Sequence, residues 1–188
     1  AGFPYHALDT YLPKLVKAGL RVAVCDQLED PKKTKGIVKR GVTELVTPGL
    51  SLNDNILESK KNNYLASLSK QGNSIGVALL DISTGEFLIS RGKKELIEQV
   101  LHNFSPSEII CSRTDREYFE PFYNDKSIFY LDDWVYKIGY AYDKLISFFK
   151  VQNLKGYGIE NLEEGIISAG AILFYLESTQ HLDLGHIN

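Results

Sequence analysis

The 188-residue sequence has no methionine, two cysteines and one tryptophan, and none of its apolar runs approaches the ~18 residues of a membrane span. A membrane-spanning role is therefore not expected. The opening Ala1-Gly2-Phe3-Pro4-Tyr5-His6 has neither the basic start nor the apolar centre of a signal peptide, so the cytoplasm is the expected compartment. A start on Ala1-Gly2 with no Met predicts a piece of a longer protein. Cys25 and Cys111 stand far apart within apolar runs; their spacing offers neither a disulfide framework nor a metal site, and both are expected as buried free thiols.

Catalytic motifs are missing as well. The chain contains no G-x-S-x-G elbow, H-E-x-x-H, C-x-x-C or G-x-x-x-x-G-K-[ST] phosphate loop. Gly92-Lys93-Lys94 comes nearest to the last of these but lacks the earlier glycine. His181 and His186 have a spacing zinc ligands can take, yet no cysteine or carboxylate pair accompanies them; His6 and His102 are isolated. No catalysis is expected from this chain by itself.

What is present is an uneven charge. The net charge is −3, but residues 1–49 carry eight Lys/Arg against five Asp/Glu. Five of those eight, Lys32, Lys33, Lys35, Lys39 and Arg40, lie within a short Pro- and Gly-punctuated loop, a concentration able to neutralise phosphates. Charge alone favours a plain solvated loop, since a short charge run is usually that and the total charge is acidic. The 44% hydrophobic content is ample for a packed core.

Periodicity supplies the elements. Leu8, Tyr11, Leu12, Leu15 and Val16 predict an amphipathic helix capped at Gly19, with Pro13 tolerable only if the helix begins near Asp9 or Thr10. Arg21 to Cys25 and Ile37 to Val46 predict strands, and Thr47-Pro48-Gly49 a turn. Residues 51–61 are polar and without a period, which predicts a linker between domains at 1–50 and 62–188. A three-strand meander follows over Tyr64 to Lys70, Ser74 to Ile82 and Glu86 to Ser90. Next come a helix over Lys94 to Phe104, strands at Glu108 to Cys111 and Ser127 to Leu131 with a short helix or loop between them, and helices over Trp134 to Phe149 and Glu163 to Thr179. The last is too apolar for a surface helix, and its Gly170-Ala171 step would admit a close neighbour. The expected class is α/β, a small partial α/β unit followed by a mixed sheet with helices on its faces.

A meander followed by alternating helix and strand is the arrangement of a ribonuclease-H-like fold. Nucleases of that fold hold two metal ions between carboxylates. Asp81, Glu86, Asp115, Asp132 and Asp133 are the acids in reach of such a role, but the first strand offers none, and Asp81 beside Ser83-Thr84-Gly85 also reads as a turn residue capping its own backbone. A metal-dependent nuclease is the alternative function.

AGFPYHALDTYLPKLVKAG, VAVCDQLEDP, VTPG, LLDISTGEF, GYGIEN and AGAILFYLESTQ occur here in an order and spacing that resembles the bacterial MutS family of DNA mismatch-repair proteins. The likeness covers essentially the whole chain. It implies that residues 1–50 are the later half of a mismatch-recognition domain and 62–188 a ribonuclease-H-like connector without nuclease activity. It places Lys35, Lys39 and Arg40 where the recognition domain approaches the DNA backbone, although Asp26-Gln27 stands where the family usually has Glu-Gln, and Arg40-Gly41 where it often has Arg and a larger residue. It places Asp143 and Lys144, beside Tyr142, on a helix that offers a surface to MutL. The family's Phe-x-Glu wedge is not in this sequence. The resemblance further implies a parent that binds mismatched double-stranded DNA as a homodimer and uses ATP and Mg2+ in regions outside this chain, in a nucleoid-associated cytoplasmic setting. It implies no cofactor within the chain itself.

Overall fold

The computed structural model describes residues 3–30, 33, 36–50, 62–122 and 127–179. The expected linker over 51–61, Lys32, Lys35, and the pair His181 and His186 lie outside the described residues.

The first unit is a helix on a two-stranded hairpin. Leu8–Lys17 forms α1, which buries Leu12, Pro13 and Val16. Its end closes as the glycine predicts: Gly19 takes φ +81°, its N–H donates to the Val16 carbonyl at 2.9 Å, and Leu20 N–H donates to the Leu15 carbonyl at 3.1 Å. Its start differs. A 3-10 turn over Tyr5–Ala7 runs directly into Leu8, which leaves Pro13 beyond the first turn. The N–H that proline lacks would have bonded the Asp9 carbonyl, and because Asp9 is exposed, water can take its place. β1 (Val22–Gln27) pairs antiparallel with β2 (Arg40–Val46), from Val22 opposite Val46 to Gln27 opposite Arg40. Leu12, Val16 and Val46 make the small core of this unit. β1 alternates, with Val22, Val24 and Asp26 more covered and Ala23, Cys25 and Gln27 outward. Cys25 is therefore exposed, which corrects the expectation of a buried thiol; it has the outward parity of its strand. Cys111 is buried as expected, and burial pushes its thiol up to about 12.

The second unit is a five-stranded mixed sheet. β3 (Tyr64–Gln71), β4 (Ser74–Asp81) and β5 (Glu86–Gly92) form the antiparallel meander, and β6 (Glu108–Ser112) and β7 (Ser127–Leu131) join parallel on the other side of β3. The order β5-β4-β3-β6-β7 puts the first meander strand at the centre, the topology expected of the ribonuclease-H-like arrangement. α2 (Lys94–Phe104) and α3 (Arg116–Phe119) carry the crossovers, and α4 (Ile138–Phe149) and α5 (Glu163–Ser178) complete the unit.

Helices cover both faces, so β3 reads as a near-continuous buried run. Ala66, Leu68, Ile109 and Cys111 face one core with Ile97, Leu101 and Phe119, while Leu65, Leu80 and Ile110 face the other with α4 and α5. α5 is central, with 12 of its 16 residues buried. Glycines let it sit close: a Cβ on Gly170 would lie 2.5 Å from Ala141 Cα, and one on Gly76 would lie 2.1 Å from the Glu164 carbonyl. The close approach read from the Gly170-Ala171 step is thus a contact with α4.

The helix expected from Trp134 to Phe149 is divided. Asp133–Tyr136 is a 3-10 turn, Lys137 is extended, and α4 begins at Ile138. Val135 and Tyr136 are buried and the Tyr136 hydroxyl lies 3.3 Å from Ser67 Oγ, so the turn is bound to the sheet before the helix starts. Trp134 consequently stays half exposed, against Tyr140 and Phe174.

Candidate nucleic-acid contact and interdomain junction

Of the basic loop residues, the described ones, Lys33, Lys39 and Arg40, lie at the open end of the hairpin, away from its base at Val22 and Val46. Lys39 is exposed; its backbone N–H donates to Glu29 Oε2 at 3.3 Å, and its ammonium stands 3.8 Å from Glu29 Oε1. Arg40 opens β2 opposite Gln27 and is also exposed. It borders an open groove of about 1050 Å³ that runs along β1 and is walled by Phe3, Pro4, Leu8 and Leu15. Lys33 lies 3.9 Å from Asp30. These exposed pairs hold their partners weakly, since a surface ion pair contributes about 0–1 kcal/mol.

The acids that would serve a nuclease are separated. Asp81 pairs in register with Tyr64, and Leu65 with Glu108, so Asp81 and Glu86 sit at the end of the sheet where β3 and β6 begin. Asp115, Asp132 and Asp133 follow the far ends of β6 and β7. The four steps from Glu108 to Ser112 span roughly 13 Å, whereas two-metal chemistry needs ions about 4 Å apart. Every one of these carboxylates except Asp115 is also engaged. Asp81 is fully buried and accepts from Ser83 N–H at 2.9 Å, Ser83 Oγ at 2.6 Å and Asn63 N–H at 3.2 Å, the turn-capping role open to it from the sequence. Glu86 accepts from the Tyr64 hydroxyl, and Asp132 pairs with Arg113 at 2.9 Å. Asp133 accepts from Ser112 Oγ at 2.5 Å, Thr114 Oγ1 at 2.5 Å and Thr114 N–H at 3.1 Å; hydrogen bonds from Ser112 and then Thr114 hold its carboxyl down at about 2. Burial lifts Asp115 above its ordinary value, against Lys70 and with Asp133. Among the described residues no group of His, Cys, Asp and Glu is arranged to hold a metal ion.

The two residues expected on a partner surface differ in availability. Asp143 is exposed on α4. Lys144 is mostly covered and ion-paired to Glu177 of α5, where it ties the two helices together.

The turn at Thr47-Pro48-Gly49 was legible as a boundary, but the residues that hold the junction between the units, Glu108, Tyr175 and Arg21, were not. Thr47, Pro48, Gly49 and Leu50 are buried, and Leu50 belongs to the same core as Leu65, Ile110 and Tyr175. Glu108 is fully buried at the start of β6; Oε2 accepts from Gly49 N–H at 3.0 Å and Oε1 from the Tyr175 hydroxyl at 2.6 Å. Burial first, and then Glu108, raise the Tyr175 hydroxyl far above its ordinary value. Asn63 donates from Nδ2 to the Pro48 carbonyl at 2.9 Å and accepts from Ser107 Oγ at 2.5 Å. From the hairpin side, the Arg21 guanidinium lies 3.6 Å from the Phe129 ring centre and 5.3 Å from that of Tyr175. The available signal was a charged residue, Glu108, opening an otherwise apolar strand.

The comparisons match both units. Family models described as MutS domain I and MutS domain II match residues 1–55 and 63–188 respectively. The chain is 58% identical over 188 residues to the DNA mismatch repair protein MutS of Flavobacterium johnsoniae, 58% over 189 residues to that of Christiangramia forsetii and 57% over 188 to that of Bacteroides thetaiotaomicron. Each alignment covers 100% of this chain and 22% of the relative, so the chain spans about a fifth of the length of these proteins.

Proposed function

The chain belongs to the MutS family of DNA mismatch repair proteins, and from that premise we propose that it is a non-catalytic module that touches the DNA backbone with its hairpin and links that contact to the rest of the protein through its mixed sheet. The observation that carries this reading is the placement of Lys39 and Arg40, exposed at the open end of a hairpin whose chain continues into Leu50, a member of the second unit's core. Lys and Arg suit phosphates because such contacts position a protein without reading bases. Lys35 belongs to the same reading by sequence. The whole protein binds mismatched double-stranded DNA as a homodimer in the bacterial cytoplasm, at the nucleoid, couples binding to ATP and Mg2+ in regions other than these two, and presents the α4 surface around Asp143 and Lys144 to MutL. The chain itself uses no cofactor. The scattered, hydrogen-bonded acids disfavour the nuclease alternative.

Titration of matched and mismatched duplexes at two salt concentrations tests the proposal. Weak binding that steepens as salt falls and does not distinguish the duplexes is expected, since the sequence contains no Phe-x-Glu wedge. Arg40→Ala should weaken all duplexes alike and make the salt slope shallower by about one. No binding at low salt, or an unchanged slope, would remove the hairpin from the DNA.

A further inference from the structure

We propose that Arg21, Tyr175 and Glu108 form a latch that fixes the hairpin unit on the connector, so that the two turn as one body. A domain joined through a single strand of chain can swivel, and relative motion is the default where the interface is small. Here the base of the hairpin is held at both of its strands. Val22 pairs with Val46, so Arg21 and Thr47 leave the hairpin side by side. On the β2 side, Gly49 donates to Glu108, Pro48 accepts from Asn63, and Leu50 is buried beside Leu65. On the β1 side, Arg21 lies over Phe129 and Tyr175.

Tyr175 makes the two attachments one. Its ring takes the guanidinium while its hydroxyl donates to the carboxylate that receives Gly49. A closed path therefore runs from β1 through α5 and β6 back to the end of β2. The fit at Gly49 is specific: a Cβ there would meet Glu108 Cβ at 2.9 Å and Leu65 Cβ at 3.1 Å. The two attachments depend on one another through Tyr175, because a buried carboxyl deprived of the hydroxyl that donates to it is left with Gly49 alone. The latch holds whether or not the hairpin meets DNA, so it stands apart from the function proposed above.

Pulsed electron spin resonance on the 188-residue chain tests it. Cys25 is exposed on the hairpin and Cys111 is fully buried, so a spin label on Cys25 and a second on Ser147→Cys, an exposed position of α4, report the distance between the units. The unsubstituted latch should give one narrow distribution, and Arg21→Ala should about double its width as the interface loses its second attachment. Arg21→Lys should lie between, since an ammonium cannot stack as a guanidinium does. Tyr175→Phe keeps the buried ring and removes only the hydroxyl; it should broaden the distribution less than Arg21→Ala, and it serves as the test if Arg21→Ala does not fold. A width unchanged in a folded Arg21→Ala or in Tyr175→Phe, or a distribution already broad with the latch intact, overturns the proposal.

Discussion

The hairpin unit and the connector use similar residues to opposite effect. In the connector, Leu65, Leu80, Ile110 and Leu145 are completely buried, and two apolar faces of one sheet are each closed by helices. In the hairpin unit Ile37 is 98% exposed and Leu28 62%, and among the described residues only Leu12, Val16 and Val46 are buried in a core of its own. A two-stranded ribbon has too little surface to bury its side chains unaided. The difference teaches that the first unit borrows order from the second: among the described residues its longest continuously buried stretch, Val46 to Leu50, is the one that runs in against β3 and β6.

Equal truncations should expose the contrast most strongly. Leu145→Ala should cost about 2–5 kcal/mol in chemical denaturation, as expected for a cavity in a closed core, and Ile37→Ala no more than about 0.5 kcal/mol. Comparable losses at the two positions would erase the distinction. A second pair adds a methyl instead of removing atoms. Gly76→Ala drives a Cβ to 2.1 Å from backbone of α5, and should cost about 1–3 kcal/mol or more, whereas Gly41→Ala meets only the mobile end of Leu28 at 2.8 Å and should cost a small fraction of that. A melting temperature unchanged by Gly76→Ala would show that α5 can retreat from β4.

The smallest effect is expected with acid. The Asp133 carboxyl is held at about 2 when folded, below its unfolded value of about 3.9. A depressed folded value means the stabilisation is fully present above about pH 4 and is lost as the pH falls through about 2. Denaturation of the wild-type chain and Asp133→Asn between pH 6 and 2 should therefore converge at the acid end, with a modest difference because Asp133 is exposed. Curves that stay parallel would mean that Ser112 and Thr114 do not hold the carboxylate in solution.

Elements with a single strong period were legible in advance. α2 spans Lys94–Phe104 as its apolar spacing predicts, and the meander turns at Gly72 and Gly85 take positive φ. The α4 boundary was not legible, because Trp134 and Ile138 fit a helical face while the break at Lys137 comes from Tyr136 reaching the sheet, a contact across 69 residues. Among candidate site residues, Arg40 and Lys39 could be read from local charge. Lys144 could not be read as tied to Glu177, nor Glu108 as a junction residue, since both depend on partners supplied by distant elements.

Glu108 also sets an order of events during synthesis. Its two partners lie 59 residues before it and 67 residues after it. Gly49 has already left the ribosome when β6 is made, but Tyr175 follows only after roughly 3–13 s at translation rates of about 5–20 residues per second. Through that interval the carboxyl has Gly49 available but lacks the second of its two partners. The hairpin can be tethered early, yet its seat closes only when α5 arrives, and docking of that helix is the step that completes both units together.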